Sequence, residues 1–380
     1  MAKALSRRAA FGVLSGGLFQ AWSQAGAIRI DRVEIIKVVV PMKKGVVSSE
    51  NFGPTLDMRL VEFDRYPKFI LKLHAGNGMV GLGETAREVP DAAVQRNADA
   101  VRGKSLGQFD LSLPTLGLPD ARTADAFEIA IYDLLGKTAG MPVCALLGGC
   151  YQKKVAVSYW TGQRTFDDLV NVGLRAVELG FRNLKFKARY GDPIDRQMEA
   201  VSKACPELSF IVDFNSSYPD LHSFLPMAHR LQGYKLTIED PFPKRLDWFR
   251  QIRSRLTIPF AITPSGPQQM WEAIRTEAVD VFNLGGDMRS FAKMGHIAEA
   301  AGIPAWHGSG VELGIRDMSF IHAAAATRSC TVPSDTLSYL RESDLLAQRF
   351  TVKNGYIDVP QKPGLGVDLD EAALKRFRVG

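Results

Sequence analysis

The sequence has no block of like charge, no cysteine spacing of the metal-binding kind, and no apolar run long enough to cross a membrane. A formal charge of +6 scattered over 380 residues gives nucleic acid no basic surface to bind, and the excess reads as an aid to solubility. The four cysteines, Cys144, Cys150, Cys205 and Cys330, read as buried free thiols; a disulfide is expected only if the chain is exported. What is present is the composition of an ordinary globular protein, 46% hydrophobic and 23% charged. The length suits a (β/α)8 barrel of about 250 residues with an added domain.

The N-terminus reads as an export signal. A basic start ending in Arg7 and Arg8 leads into a mostly apolar segment, 9–22, and then to small residues with Ala25 and Ala27 at an A-x-A cleavage point. The apolar segment is too short and too glycine-rich for a membrane span. Ser6, Arg7, Arg8, Ala9, Ala10 and Phe11 resemble the twin-arginine type, with one extra residue before Phe11. Periplasmic location follows, with no membrane contact once residues 1–27 are removed. The alternative is an N-terminal extension of a cytoplasmic enzyme.

Three apolar runs between 181 and 241 organise the rest. Each has a β-branched or aromatic core and stops at charged or amide residues, as a short buried strand does. They end at Lys185 and Lys187, at Asp213 and Asn215, and at Glu239 and Asp240. Lys185, Asp213 and Glu239 are 28 and 26 residues apart, about one strand–helix unit each time. Consecutive parallel strands thus carry ammonium and carboxylate groups to one end, where a (β/α)8 barrel builds its active site.

In chain order, residues 28–150 form an α+β unit. It has strands at 28–40, 66–73 and 80–84, a hairpin turn holding Asn77 and Gly78, and helices at 91–101 and 121–139. Gly140 closes the second helix and Pro142 follows it. Residues 151–345 alternate strand and helix, with strands at 155–160, 184–187, 210–214, 236–238, 259–262, 279–284, 304–307 and 336–340. Eight strands separated by helices argue for a closed barrel. Residues 346–380 return to the first unit and include a short helix, 370–377. The fold class is therefore α/β, a TIM-type barrel with an N-terminal α+β capping domain completed by the tail.

The order and local wording of these residues resemble the enolase superfamily, in the branch of mandelate racemase and the muconate-lactonising enzymes. Gly78 to Glu84 resembles that family's capping-domain hairpin, the segment 130–142 followed by Leu147, Gly148 and Gly149 its helix into the barrel, and 363–370 its C-terminal return. The resemblance implies abstraction of the proton α to a carboxylate, with Mg²⁺ holding the enediolate. On this pattern Lys187 is the base, Lys185 neutralises the substrate carboxylate, and Asp213 and Glu239 ligate the metal. Hard carboxylate oxygens suit Mg²⁺, and a metal with an ammonium meets charge where it develops. The expected partner is a small carboxylate or acid sugar, and association into homo-oligomers is common among barrel enzymes of this kind.

The chain departs from the pattern at three strands. The fifth should end in a third metal carboxylate, yet Thr263 or Pro264 stands there, leaving Thr263 as a poor neutral substitute. Where relatives place a lysine on the sixth strand, this chain has Leu284 or Gly285; Asp287 nearby reads as a helix N-cap. The seventh strand offers His307 as an acid/base in compensation. Asn215, Asp240, Ser265, Ser309 and Glu312 are the expected substrate contacts, and Asp335 falls where the family keeps a glutamate. Two readings follow: a lyase, racemase or cycloisomerase with a modified site, or a pseudoenzyme that binds carboxylates through a degraded metal site. A Schiff-base aldolase is disfavoured, because such chemistry has no use for Asp213 and Glu239.

Overall fold

The computed structural model describes residues 26–43, 45 and 67–380. The export signal up to residue 25 lies outside them, as do Ser48, Ser49, Glu50 and Asn51, polar residues of a kind that suits hydroxyl binding. The first layer is an antiparallel sheet in the order β1 (Ile30–Val38), β2 (Lys68–Ala75), β3 (Val80–Glu84). Gly78, at φ 85°, takes the left-handed position of the β2–β3 turn. Helix α1 (Asp91–Val101) and helix α2 (Ala124–Ala139) cover the sheet. Gly81 and Gly83 are glycine for want of room: a Cβ at either would come within 2.3 Å of a backbone oxygen of α2. Gly140, at φ 65°, closes α2 in the left-handed conformation. The short helix α3 (Val143–Leu146) leads to the barrel.

Eight parallel strands make the barrel: β4 (Lys154–Thr161), β5 (Asn183–Lys187), β6 (Ser209–Asp213), β7 (Leu236–Glu239), β8 (Phe260–Ile262), β9 (Val281–Leu284), β10 (Ala305–His307) and β11 (Ser334–Thr336). Hydrogen-bonded ladders run unbroken from β10 round through β4 to β11. At the remaining seam, β10 bonds to the loop before β11 and to a side chain of β11 itself. Ala305 donates to the Ser329 carbonyl at 2.7 Å, and the His307 N–H donates to Ser334 Oγ at 3.0 Å. The eighth strand thus lies earlier than the expected 336–340, where a 3-10 turn (Ser338–Leu340) stands instead. Asp335 is consequently inside the strand.

Helices α4 (Phe166–Glu178), α5 (Ile194–Ala204), α6 (Leu221–Arg230), α7 (Leu246–Arg253), α8 (Pro267–Arg275), α9 (Met288–Ala300) and α10 (Gly314–Ala325) surround the strands. Asp287 caps α9, its carboxylate accepting from Ser290 N at 2.7 Å. Outward-facing residues such as Phe186, Phe214, Ile238, Phe260 and Phe282 are buried in the main core, which places their inward neighbours in the barrel lumen.

The tail completes both parts. Strand β12 (Tyr356–Asp358) pairs antiparallel with β4, and helix α11 (Glu371–Phe377) follows. Asp133 of α2 accepts from Leu82 N and from Leu365 N, at 2.9 and 2.8 Å, tying hairpin, helix and tail together. At the end of α11 the backbone of Phe377 and Val379 bonds to Val39, just past β1, and to Lys37 within it. Cys144 and Cys150 form a disulfide, correcting the expectation of four free thiols; Cys205 and Cys330 are free and buried.

Candidate active site

The barrel's carboxyl end opens into a cavity of about 380 Å³, lined by residues from β4 to β11 and the loops after them, and by Arg87 from the capping unit. Register places Lys187 beside Asp213, and Asp213 beside Glu239, on three adjoining strands. Because strand side chains alternate, Lys185 and Lys187 both face inward while Leu184 and Phe186 pack against helices.

The polar groups of the floor are tightly interlocked. Lys185 Nζ lies 2.7 Å from Glu239 Oε2, 2.9 Å from Asp335 Oδ2 and 5.2 Å above the Trp306 ring. Lys187 donates to Asp213 Oδ2. Thr263 Oγ1 donates to Glu239 Oε1 at 3.1 Å, and so does Asn283 Nδ2 at 2.5 Å. Asn215 donates to Asp213 Oδ2 at 3.1 Å. Asp240 is ion-paired with Lys244 at 3.2 Å.

Burial and charge pull these groups in opposite directions. Burial alone would lower the Lys185 ammonium, but Asp335, Glu239 and Asp213 outweigh it and hold it well above an ordinary lysine. Burial would raise Asp213; Lys187 and Lys185 overcome it and keep that carboxyl low. Glu239 goes the other way, pushed up to about 7 by burial and by the charge of Asp213 against the two lysines. Asp240 is likewise raised, by burial above all.

Of the residues expected from sequence, Lys185, Lys187, Asp213, Asn215, Glu239, Asp240, Thr263 and Ser309 line this cavity, and Asp335 joins them. His307 does not. It is in register with Leu284, on the outward face of β10. There its ring stacks on Phe320 with centroids 3.5 Å apart, and burial pushes it down to about 3. The expectation of a catalytic His307 is therefore corrected: a neutral ring held behind the strand cannot exchange protons with a guest in the lumen. Ser265 is exposed, with its N–H bonded to Gln269 at 2.7 Å, and is also withdrawn. Glu312 is withdrawn as a substrate contact too. It is buried beneath the loop after β10, where it accepts from Ser309 Oγ and from Gly310 N.

Sequence reading passed over Asn283, Lys244, Arg87 and Trp160 in the same lining. For Asn283 the signal was available: it alternates with Phe282 and Leu284, so it is the inward position that Leu284 cannot be. Among the described residues no three histidine, cysteine or acidic side chains gather where they could hold a metal. The oxygen set nearest to such a role is Asp213 and Glu239 with the neutral Thr263.

A family model described as enolase C-terminal domain-like matches residues 169–373. The N-succinylamino acid racemase of Thermus thermophilus is 32% identical over 276 residues, spanning 69% of this chain and 72% of that protein. The D-galactarolactone cycloisomerase of Agrobacterium fabrum is 26% identical over 364 residues, 84% of this chain and 93% of its own. Among solved structures, N-succinyl Arg/Lys racemase from Bacillus cereus superposes with a TM-score of 0.76 at 22% identity, covering 93% of this chain and 98% of that one.

Proposed function

The chain belongs to the enolase superfamily, in its mandelate racemase and muconate-lactonising branch, and from that premise we propose that it removes the proton α to the carboxylate of a hydroxy acid or acid sugar. Dehydration, racemisation or epimerisation, and cycloisomerisation are the outcomes open to such an enzyme. One observation carries the reading: two ammonium groups and two carboxylates from β5, β6 and β7 face one cavity large enough for a small acid.

Lys187 is the base in this proposal. It is the more accessible lysine, with 13% of its side chain exposed against 2% for Lys185. It accepts the α-proton only as the neutral amine, after its contact with Asp213 is broken and its own ammonium proton has passed to water at the cavity mouth. Lys185 is held by three carboxylates and stays charged, so its work is electrostatic. It meets the negative charge that grows on the substrate carboxylate as the carbon is deprotonated, in a site where water is scarce. Asn215, Ser309, Arg87 and Lys244 line the space left for the rest of the substrate, and Trp160, Val311 and Leu337 form its apolar side.

The donor chemistry fits Mg²⁺. Asp213 and Glu239 offer hard oxygens and Thr263 a hydroxyl, donors of the kind Mg²⁺ prefers. Bound there, Mg²⁺ would supply a Lewis acid to the ionising substrate. The second reading, a carboxylate-binding protein without turnover, draws on the neutral Thr263 where a third carboxylate is expected. Deuterium incorporation at Cα separates the two. A library of hydroxy and sugar acids, incubated in D2O with Mg²⁺, is followed by NMR with the parent protein and with Lys187→Ala. Exchange that survives Lys187→Ala removes the base assignment, and no exchange with any acid favours the second reading.

Export belongs to the same proposal. The Cys144–Cys150 disulfide supports passage through an oxidising compartment, in keeping with the twin-arginine-like start.

A further inference from the structure

Val311, in the loop that follows β10, is a β-branched residue held at φ 68°. Such side chains avoid this left-handed region, and where one is found there the surrounding structure must hold it. The Val311 side chain is buried against Trp160, Leu337 and Leu340, and with the first two it lines the cavity. A strained backbone and part of the apolar wall of the site are therefore one residue.

The main restraint on Val311 comes from outside the barrel. Lys68, the first residue of β2, is buried and donates from Nζ to the Val311 carbonyl at 3.2 Å. Arg341 Nη2 reaches the same oxygen only at 3.5 Å, a weaker bond. A buried ammonium is costly without a partner, and Glu84, at the end of β3, supplies one at 2.5 Å. The Glu84 carboxylate also accepts from Leu313 N at 2.7 Å and from Arg316 N at 2.8 Å. Those two bonds already dock the capping unit on the barrel. The Lys68 bond does something else: it goes to the one residue of this loop whose backbone is left-handed and whose side chain lines the cavity. Lys68 itself is not part of that lining.

Resting on the proton-abstraction reading above, we propose that Lys68 is a positioning residue for that reaction, holding the Val311 backbone left-handed so that the apolar wall stays set against the substrate. The capping unit then acts on the chemistry through Val311, with no contact between Lys68 and the substrate. Without the restraint the loop relaxes out of the left-handed region, and the acid is held less well in the pose that Lys187 requires.

Two measurements test this on Lys68→Met. In amide hydrogen exchange, protection of the segment 308–313 is expected to fall about tenfold or more, with strand β6 changed by less than about threefold. The second is α-deuterium exchange of mandelate, gluconate and galactarate with Mg²⁺, in a cycle that pairs Lys68→Met with Val311→Gly. Glycine takes φ 68° without strain and so needs no restraint. Lys68→Met is expected to slow exchange about tenfold or more in the parent protein and less than about threefold in the Val311→Gly background. Its loss of denaturant midpoint, which reports the ion pair with Glu84, is expected to be the same in both. A lysine that only held the fold together would cost equal activity in either background. Lys68→Gln, a shorter neutral donor to Glu84, repeats the work if Lys68→Met does not fold. Val311→Asn, which also tolerates left-handed backbone, does so if Val311→Gly abolishes exchange. The proposal is overturned if 308–313 keeps its protection or loses it only in step with β6. It is equally overturned if the lysine variant slows exchange by the same factor in both backgrounds, or not at all. If the parent protein exchanges none of the acids, the proton-abstraction reading falls by itself, and a loosened 308–313 still marks Lys68 as the restraint on that loop.

Discussion

Lys185 and Glu239 meet at 2.7 Å in the barrel floor, and the same ammonium reaches Asp335 at 2.9 Å, so one lysine joins the second, fourth and eighth barrel strands. Removing it leaves two buried carboxylates facing each other without compensation. Lys185→Met is expected to destabilise the fold by about 3–5 kcal/mol, the usual consequence of breaking one side of a buried ion pair. Denaturant unfolding measures it, and a loss under about 1 kcal/mol would mean that the floor is far wetter than its burial indicates.

Lys187→Ala should separate chemistry from stability. Its side chain is the more exposed of the two and pairs with Asp213 alone. We expect α-proton exchange to fall by about 10²–10⁴-fold, the range for a positioned base, with a smaller stability loss than Lys185→Met. Equal stability losses for the two variants would contradict that ranking.

Glu239 makes cation binding depend on pH. Its folded pKa, about 7, lies above the ordinary value of 4.5, so below pH 7 the carboxyl keeps its proton and is a poor ligand. Mg²⁺ affinity should rise towards about tenfold per pH unit below 7 and level off above it. For folding the sign is the opposite: the Glu239 contribution is full below pH 4.5 and is lost as pH rises through 7. Calorimetric titrations at pH 5.5, 6.5 and 7.5 test the first claim. An affinity that ignores pH would take Glu239 out of the ligand set.

His307→Phe should be nearly silent in turnover. The imidazole is held at a pKa of about 3 by burial, below its ordinary 6.5, so it stabilises the fold fully above pH 6.5 and progressively less as pH falls towards 3. The variant should show a flatter stability profile over that acid range. A hundredfold loss of turnover in a folded variant would return His307 to the catalytic list.

Much of this floor was legible in the sequence, and the reason is visible in Lys185, Asp213 and Glu239. A charged residue ending a short apolar run is conspicuous, and a spacing of one strand–helix unit puts such residues on adjoining strands. His307 was misread because a strand of three residues has too few positions to reveal its alternation. The choice between His307 and Trp306 as the inward residue depended on register against β9. Asn283 was overlooked for the converse reason: a single amide between Phe282 and Leu284 carries no charge to draw attention, and its worth lies in contacts with Glu239 and Gly308 that arise only when three strands meet. Asp335 was placed just ahead of its strand, since the Thr336–Leu340 segment is more apolar than the residues that do pair.

The backbone bonds between residues 377–379 and the strand at Lys37 and Val39 set an order of events during synthesis. One end of that strand's edge is met early, by residues 103–105, whereas its far end at residues 37–39 acquires a neighbour only when residues 377–379 have been made. A nascent chain stalled short of Phe377 would carry the end of that edge at Lys37 and Val39 bare.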